Sequence, residues 1–234
     1  MAVRYFAIIP AAGQGARMAA VIPKQYLKLQ QGMVLEHSIN ALIASECFTK
    51  VVVGLAADDT YWPKVTPTLQ RSVLTTTGGK TRSATVLNAL YALKDQANPK
   101  DWICVHDAAR PCLTQPVLKR LLETVSDHPV GGILAIPTQD TLKYVNTQHI
   151  IQSTVNREQI WQAQTPQLFR FGLLVAALEA AQQQGLVITD EAQALEYTGA
   201  EILIVPGARS NFKLTYPDDL ALADWFLSQQ VTDE

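Results

Sequence analysis

Residues 5–18 of the chain read YFAIIPAAGQGARM, an apolar run followed by a loop of small residues. The run from Tyr5 to Ile9 predicts a buried β-strand, because short apolar runs of this kind are typical of strands covered on both faces. The small residues after it would lie at the carboxyl end of the strand, where α/β sheets bind their ligands. Gly13 and Gly15 can adopt positive φ and present backbone N–H groups to anionic oxygens. The stretch therefore predicts a phosphate-binding loop.

The rest of the chain alternates between strand and helix patterns. Apolar runs rich in Val and Ile predict further buried strands at Val51 to Leu55, Trp102 to Val105, Ile133 to Ile136 and Ile202 to Val205. Helical periodicity appears at Leu35 to Ser45, Ser83 to Asp95, Pro116 to Ser126, Gly172 to Gln183 and Asp218 to Ser228. We therefore predict an α/β fold over residues 1–234 as a single domain, with a mainly parallel sheet and helices on both faces.

One segment departs from this alternation. Residues 138–164 are polar and rich in Thr, Asn and Gln, with Leu142, Tyr144 and Val145 as the few apolar anchors. Neither a long helix nor a buried strand fits this composition. We predict a β-hairpin or arm that leaves the body of the domain.

Composition excludes several classes of partner. The chain has 19 Lys and Arg against 21 Asp and Glu, without a basic run that would suit nucleic acid. Its three cysteines lack the close spacing of a zinc site and fit a reducing cytoplasm. No apolar run approaches the roughly 20 residues needed to cross a bilayer, and Met1 to Pro10 lacks the features of a signal peptide. We expect a cytoplasmic protein that binds neither nucleic acid nor membrane.

Two common glycine motifs do not fit the chain. The dinucleotide-binding fingerprint requires a third glycine where this chain has Met18. The segment Gly79-Lys80-Thr81 imitates the end of a P-loop, but the position of the earlier glycine holds Leu74. The phosphate-binding loop predicted after the first strand therefore matches neither of these motifs.

Two cations accompany that loop. Arg17 offers a planar fork to phosphate oxygens and Lys24 offers a compact charge, and together they suit a triphosphate. The alternative is a tight turn made by the glycines, with both cations in solvent.

A second group of candidates follows the strand Trp102 to Val105. Asp107 would reach the same sheet edge and could bind Mg²⁺ through oxygen. His106 is interpreted as a packing or hydrogen-bonding residue. Arg110 is either an ordinary arginine at a helix start or a phosphate contact, and its place beside Asp107 favours the contact.

Further polar residues are ambiguous on their own. A turn before a helix could frame a base or ribose, or be only a turn, at Gly78, Gly79, Arg82 and Thr85. Common loop residues occur at Thr141, Thr165 and Thr189. Lys213 could be an exposed lysine on an edge strand, and Arg157 could be solvated.

The motifs together carry a specific resemblance. The pattern Pro10-Ala11-Ala12-Gly13-x-Gly15-x-Arg17-Met18, followed by Pro23-Lys24-Gln25, resembles the signature of the 2-C-methyl-D-erythritol 4-phosphate cytidylyltransferase family. The family's other landmarks follow in order: Gly78-Gly79-x-x-Arg82-x-x-Thr85-Val86, His106-Asp107-Ala108-Ala109-Arg110-Pro111, Asp140-Thr141-Leu142-Lys143, Arg157, Gln164-Thr165-Pro166-Gln167, Thr189-Asp190-Glu191 and Asn211-x-Lys213-x-Thr215. The chain departs from the family at Thr85, where Ser is usual, and at Asn156, where Asp often precedes the arm arginine. Thr85 keeps the hydroxyl group, but its methyl group adds volume to the pocket.

The resemblance implies a Rossmann-like nucleotidyltransferase fold that joins CTP to 2-C-methyl-D-erythritol 4-phosphate with Mg²⁺ and releases pyrophosphate. It implies nucleotide binding by Pro10, Ala11, Ala12, Gly13, Gly15, Arg17, Lys24, Gly78, Gly79, Arg82, Thr85, Asp107 and Ala108. It implies substrate binding by Asp107, Arg110, Thr141, Arg157, Thr165, Thr189 and Lys213. Catalytic roles would fall to Arg17, Lys24, Arg157 and Lys213, and the metal ligand would be Asp107. Residues 138–164 would form a homodimer arm that carries Arg157 into the neighbouring subunit's site.

Two other functions are compatible with the sequence. One is a cytidylyltransferase acting on a related polyol phosphate such as ribitol 5-phosphate, because the nucleotide half of the signature is shared more widely. The other is a binding module that keeps the fold without catalysis, although such a chain would be free to lose the cations that are present here.

Overall fold

The computed structural model describes residues 3–13 and 22–230, and its strands in chain order are β1 Tyr5–Pro10, β2 Lys28–Leu29, β3 Gly32–Met33, β4 Lys50–Leu55, β5 Leu74–Thr77, β6 Trp102–Val105, β7 Gly131–Pro137, β8 Leu142–Val145, β9 Ile151–Val155, β10 Trp161–Arg170 and β11 Leu203–Pro206. The helices are α1 Val34–Ile43, α2 Pro67–Ser72, α3 Arg82–Leu93, α4 Gln115–Val125, α5 Phe171–Gln183, α6 Glu191–Glu196 and α7 Asp219–Gln230. Short 3₁₀ turns lie at Lys24–Tyr26 and Trp62–Lys64.

Within the described residues, seven strands form the main sheet, in the order β11-β7-β10-β6-β1-β4-β5. Strand β10 runs antiparallel to β6 and β7, and the other neighbouring pairs are parallel. The predicted α/β fold with a mainly parallel sheet is confirmed. All five predicted strands are present. Four have ends within one residue of the predicted ones, and the fifth, predicted at Ile133 to Ile136, is part of the longer strand β7.

The sheet is buried on both faces. Successive side chains of a strand point to opposite faces, so Ala7 and Ile9 of β1 pack with α1 and α4, while Phe6 and Ile8 pack with α3 and α5. These four side chains are fully buried. Burying a residue the size of Phe or Ile stabilises the fold by about 2 kcal/mol. Burial on both sides explains why the run reads as continuously apolar rather than alternating.

Two strands of the main sheet, β5 and β10, were not predicted from the sequence, and neither was the short pair of β2 and β3. The edge strand β5 carries three threonines, and its side chains alternate between half-buried and exposed. The predicted arm 138–164 includes the first residues of β10, since Trp161, Gln162 and Ala163 pair with β7 of the main sheet. The short helices α2 and α6 were also not predicted, because six residues are too few to show a helical period.

The arm itself is a two-stranded hairpin of β8 and β9. Its exposed apolar side chains include Tyr144, Ile150 and Ile151.

In the described part of the chain, no helix combines the length and the apolar character needed to cross a membrane.

The topology places the connections that carry the candidate residues at one edge of the sheet. The loops after β1, β5 and β6 leave from carboxyl ends of parallel strands, and β10 enters at the same edge because it is antiparallel. Ligands bind at this edge in open α/β sheets.

Candidate active site

A cavity of about 270 Å³ opens at this edge of the sheet. The described residues that line it are Pro10, Ala11, Ala12, Gly13, Lys24, Gln25, Gly79, Lys80, Thr81, Arg82, Thr85, Asp107, Ala108, Ala109 and Lys213. Most of the predicted nucleotide residues therefore meet in one place. Gly15 and Arg17 lie outside the described residues.

The loop after β1 forms one wall of the cavity. The Ala11 N–H group donates to the carbonyl of Gly54 at 2.8 Å, which continues the pairing of β1 with β4. Gly13 does not use the positive φ that glycine permits, because the described glycines with positive φ are Gly131, Gly185 and Gly199. A Cβ atom added at Gly13 would meet no atom of the described residues within 4 Å.

The turn between β5 and α3 forms the facing wall. A Cβ atom on Gly78 would lie 2.4 Å from the Cβ of Ala12, so glycine lets the two walls approach closely. Thr85 accepts a hydrogen bond from the Gly79 N–H group and donates one to the Thr81 carbonyl, both at 3.0 Å. Thr81 caps α3 by accepting from the Ala84 N–H group at 3.1 Å.

The methyl group of Thr85, the residue that departs from the family pattern, packs against β4. A Cβ atom at Gly54 would lie only 2.4 Å from this methyl carbon. Gly54 therefore provides the space that the additional methyl group occupies, and the hydroxyl group keeps its bonds to the turn.

Asp107 lies at the centre of a cluster of cations. Its carboxylate receives Arg82 Nε at 2.8 Å and Lys213 Nζ at 2.8 Å, and Arg110 Nε lies 3.6 Å away. Burial acts to raise the pKa of Asp107, but the charges of Arg82, Lys213 and Arg110 hold it well below its ordinary value. Asp107 is therefore ionised, and three cations compensate for its burial.

Arg82 is held from a second side by Glu191. The guanidinium NH1 group donates to Glu191 Oε1 at 2.6 Å, and Glu191 is fully buried. Burial raises the pKa of Glu191, although the charge of Arg82 acts against this shift. A second carboxylate therefore stands behind the cluster without lining the cavity.

His106 and Thr165 form a hydrogen-bond chain beneath Asp107. The Arg110 carbonyl can only accept, so His106 Nε2 donates to it at 3.0 Å. His106 Nδ1 must then accept from the Thr165 hydroxyl group at 3.1 Å, while Thr165 Oγ1 accepts from the Asp107 N–H group at 2.9 Å. Burial lowers the pKa of His106 to about 4, which agrees with a neutral ring. The hydrogen-bonding interpretation of His106 is confirmed.

The segment carrying Lys213 closes the site from the far end of the chain. It is a loop rather than the edge strand that was the alternative. The Leu214 N–H group donates to the Ala109 carbonyl at 2.9 Å, and Lys24 Nζ donates to the Leu214 carbonyl at 2.8 Å. Lys24 therefore contacts the residue that directly follows Lys213.

Several predicted substrate residues do not line the described cavity. Arg110 and Thr165 are buried behind its wall, whereas Thr141 and Thr189 are exposed. The guanidinium group of Arg157 contacts the Gln139 carbonyl at the base of the arm. These assignments stay predictions.

Sequence reasoning assigned no role to Gln25 or Glu191. Gln25 appeared only as part of the motif Pro23-Lys24-Gln25. Its amide, next to the lysine of the phosphate loop, could have indicated a contact with that loop. Glu191 appeared only in the landmark Thr189-Asp190-Glu191, and in the structure it lies in the first turn of α6, which Asp190 caps by accepting from the Gln193 N–H group at 3.0 Å. Nothing in the sequence around Glu191 signals its burial against Arg82.

The sequence model of a family described as 2-C-methyl-D-erythritol 4-phosphate cytidylyltransferase matches residues 5–229. The chain belongs to this family. It is 45% identical over 224 residues to the enzyme of that name from Vibrio vulnificus, covering 96% of this chain and 94% of the relative. It is 46% identical over 226 residues to the one from Vibrio parahaemolyticus, covering 97% and 96%.

A solved structure of a 4-diphosphocytidyl-2C-methyl-D-erythritol synthase superposes with a TM-score of 0.85 at 39% identity, covering 97% of this chain and 100% of the other. The fold is therefore that of the cytidylyltransferase family, a mixed and mostly parallel sheet flanked by helices. The predicted resemblance is confirmed over nearly the whole chain.

Proposed function

We propose that this chain transfers the cytidylyl group of CTP to 2-C-methyl-D-erythritol 4-phosphate. The products are 4-diphosphocytidyl-2-C-methyl-D-erythritol and pyrophosphate, in the non-mevalonate pathway to isoprenoid precursors. The observation that carries the proposal is the meeting of Lys24, Lys213 and Asp107 at one cavity, in a chain that the family matches over residues 5–229.

The reaction asks mainly for alignment and charge neutralisation. An oxygen of the acceptor phosphate attacks the α-phosphorus of CTP, and the bond from that phosphorus to the oxygen shared with the β-phosphate breaks. The bridging oxygen leaves with its electron pair as part of pyrophosphate. No covalent enzyme intermediate is needed, so positioned cations supply most of the catalysis.

Lys24 and Lys213 are suited to opposite sides of this displacement. Lys24 belongs to the wall formed by the phosphate loop, and we assign it to the triphosphate together with Arg17. Lys213 would hold the incoming phosphate, assisted by Arg157. Removing one such preorganised group typically costs about 3 kcal/mol, roughly a hundredfold in rate.

The residues around the other wall are assigned to the nucleoside. The predicted contacts at Gly78, Gly79, Arg82 and Thr85 lie in or beside the turn before α3, and Ala108 also lines the cavity. Gly78 lies so close to Ala12 that the two walls touch at this point, so we assign the nucleoside to the part of the cavity lined by Gly79, Arg82 and Thr85.

A single carboxylate fits the implied Mg²⁺. Among the described residues that line the cavity, Asp107 is the one acid, and its oxygens already attract Arg82 and Lys213. Mg²⁺ is commonly held by one or two carboxylates together with substrate phosphates and water. The described ranges hold no group of three or more His, Cys, Asp or Glu that could form a complete protein cage. When bound, the ion would neutralise charge on the triphosphate.

Residues 138–164 are proposed as the homodimer arm of a single catalytic domain. The hairpin exposes 64% of Tyr144 and 60% of Ile151, an apolar surface that a second copy could cover. If Arg157 acts in the partner's site, Arg157→Ala and Lys213→Ala proteins will complement each other. Random mixing in equal amounts would restore about a quarter of the sites, whereas no recovery would refute the shared site.

A cytoplasmic location is proposed from the cysteines, since Cys47, Cys104 and Cys112 are all free thiols. Fractionation of cells expressing the chain would test it, and recovery with secreted proteins would refute it.

A pyrophosphate-release assay tests the activity itself. The chain is given Mg²⁺, each of four nucleoside triphosphates, and either methylerythritol phosphate or ribitol 5-phosphate. CTP with methylerythritol phosphate should react fastest. Preference for ribitol 5-phosphate would move the chain to a related polyol specificity, and nucleotide binding without release would identify a binding module.

Lys24→Ala should lower turnover about a hundredfold in this assay without unfolding the protein. Lys119→Ala is the matched control, because Lys119 is 75% exposed on α4 in an ion pair with Glu123. Wild-type turnover in Lys24→Ala would contradict the assignment of Lys24.

A further inference from the structure

The side chain of Gln25 makes two hydrogen bonds to the phosphate loop. Its Nε2 group donates to the Ala11 carbonyl at 2.6 Å and to the Gly13 carbonyl at 2.9 Å. Gln25 is 4% exposed, so water does not compete freely for these bonds. Both donors of the amide are therefore used on the backbone of the loop.

The position of Gln25 is fixed by its neighbours. It lies in the 3₁₀ turn Lys24–Tyr26, and Tyr26 is buried with its hydroxyl group donating to Asp59 at 2.7 Å. The Tyr26 ring also stacks on Tyr61, with the ring centroids 5.3 Å apart. The amide thus approaches the loop from an anchored base rather than from a free side chain.

This arrangement sets the polarity of the loop. In a planar trans peptide the carbonyl and the following N–H group point in opposite directions, so the Ala12 N–H group points away from Gln25. The Ala11 carbonyl accepts from Gln25, and the Ala11 N–H group donates to the Gly54 carbonyl at 2.8 Å. These two bonds leave Ala11 little rotational freedom. Carbonyl oxygens facing a triphosphate would repel it, whereas N–H groups attract it.

We propose that Gln25 is a positioning residue for the nucleotide. It holds two loop carbonyls away from the triphosphate and so presents the N–H side of the loop to it, without itself binding the phosphates. The inference rests on the proposed function, since the triphosphate is the ligand of that function.

Two substitutions separate this role from simple packing. Gln25→Met keeps the length of the side chain and removes both donors. Gln25→Glu keeps the shape and places a carboxylate against two carbonyls. Losing two hydrogen bonds of ordinary strength should weaken CTP binding about tenfold to thirtyfold, and Gln25→Glu should weaken it more.

The matched control is Gln70→Met. Gln70 also donates through Nε2 to two backbone carbonyls, those of Val65 at 2.6 Å and Pro63 at 3.4 Å, but it does not line the described cavity. Its substitution removes the same kind of bonds and should leave the Kd for CTP unchanged.

The experiment measures the Kd for CTP and for pyrophosphate by calorimetry, the KM for the acceptor at saturating CTP, and thermal unfolding without ligand. The proposal expects both Kd values to rise in Gln25→Met while the acceptor KM stays at the wild-type value. Wild-type CTP affinity in both Gln25 variants overturns it, and so does an equal rise in the acceptor KM. Failure of both variants to fold would assign Gln25 to the core and also overturn it. An inactive wild-type protein would instead contradict the proposed function.

Discussion

Substituting Gly54 by alanine should destabilise the protein through one contact, and Thr85→Ser should repair it. The new Cβ atom would lie 2.4 Å from the Thr85 methyl carbon. Carbon atoms pack at about 3.5 Å or more, so one side must move by about 1 Å. Gly54 cannot yield easily, since it pairs with Pro10 on one side and Thr76 on the other. Overpacking of this kind costs about 1–3 kcal/mol.

The second substitution removes the obstacle. Without the methyl group, the nearest atom to the new Cβ is the Thr85 carbonyl oxygen at 3.7 Å, an ordinary contact. Thr85→Ser alone deletes one buried methyl group and should cost about 1 kcal/mol. The double variant should therefore be more stable than Gly54→Ala, with a coupling energy of about 1–2 kcal/mol.

Urea unfolding of the four proteins measures this cycle, and the KM for CTP gives a functional counterpart. Gly54→Ala should raise that KM, because the Thr85 hydroxyl group holds the turn at Gly79 and Thr81. The double variant should return toward the wild-type KM. Additive unfolding energies, or wild-type stability in Gly54→Ala, would refute the steric reasoning.

Two further predictions concern buried carboxylates. Glu191→Gln should lower the free energy of unfolding in urea by about 1 kcal/mol, because the amide oxygen can still accept from Arg82 but no longer compensates its charge. An unchanged midpoint would contradict the ion pair. Burial acts to raise the pKa of Asp101, but hydrogen bonds from Asn98 and Arg4 hold it below its ordinary value. The stability advantage of wild type over Asp101→Asn should therefore be complete above about pH 4 and shrink as the pH falls further. A difference that stays constant on acidification would contradict this pKa.

The central strands were predictable because local sequence and burial agree there. β6 was predicted at its observed bounds, Trp102–Val105, since every residue of it is buried on one face or the other. β5 was not predictable, since its pattern of threonines becomes a strand only by pairing with β4. The first residues of β10 were assigned to the arm because they are polar, but in the structure they pair with β7 of the main sheet.

The positions of some residues of the candidate site could be predicted from the sequence, and those of others could not. The phosphate loop and Asp107 could be placed at one edge of the sheet, because each follows a strand that the sequence reveals, whereas the turn at Gly78 follows β5, which the sequence does not reveal. The partner of Asp107 could not be chosen, since Lys213 comes from a loop at the far end of the chain.

The sequence by itself determined the chemistry available to this protein: a small-residue loop after a buried strand, cations for phosphate and one acid for a metal. Only the tertiary structure decided which groups act together. It turned the Ala11 and Gly13 carbonyls toward Gln25 and buried Glu191 behind Arg82. Short-range patterns report how a segment buries its own side chains, whereas hydrogen bonds and ion pairs between distant segments depend on where the completed sheet places them.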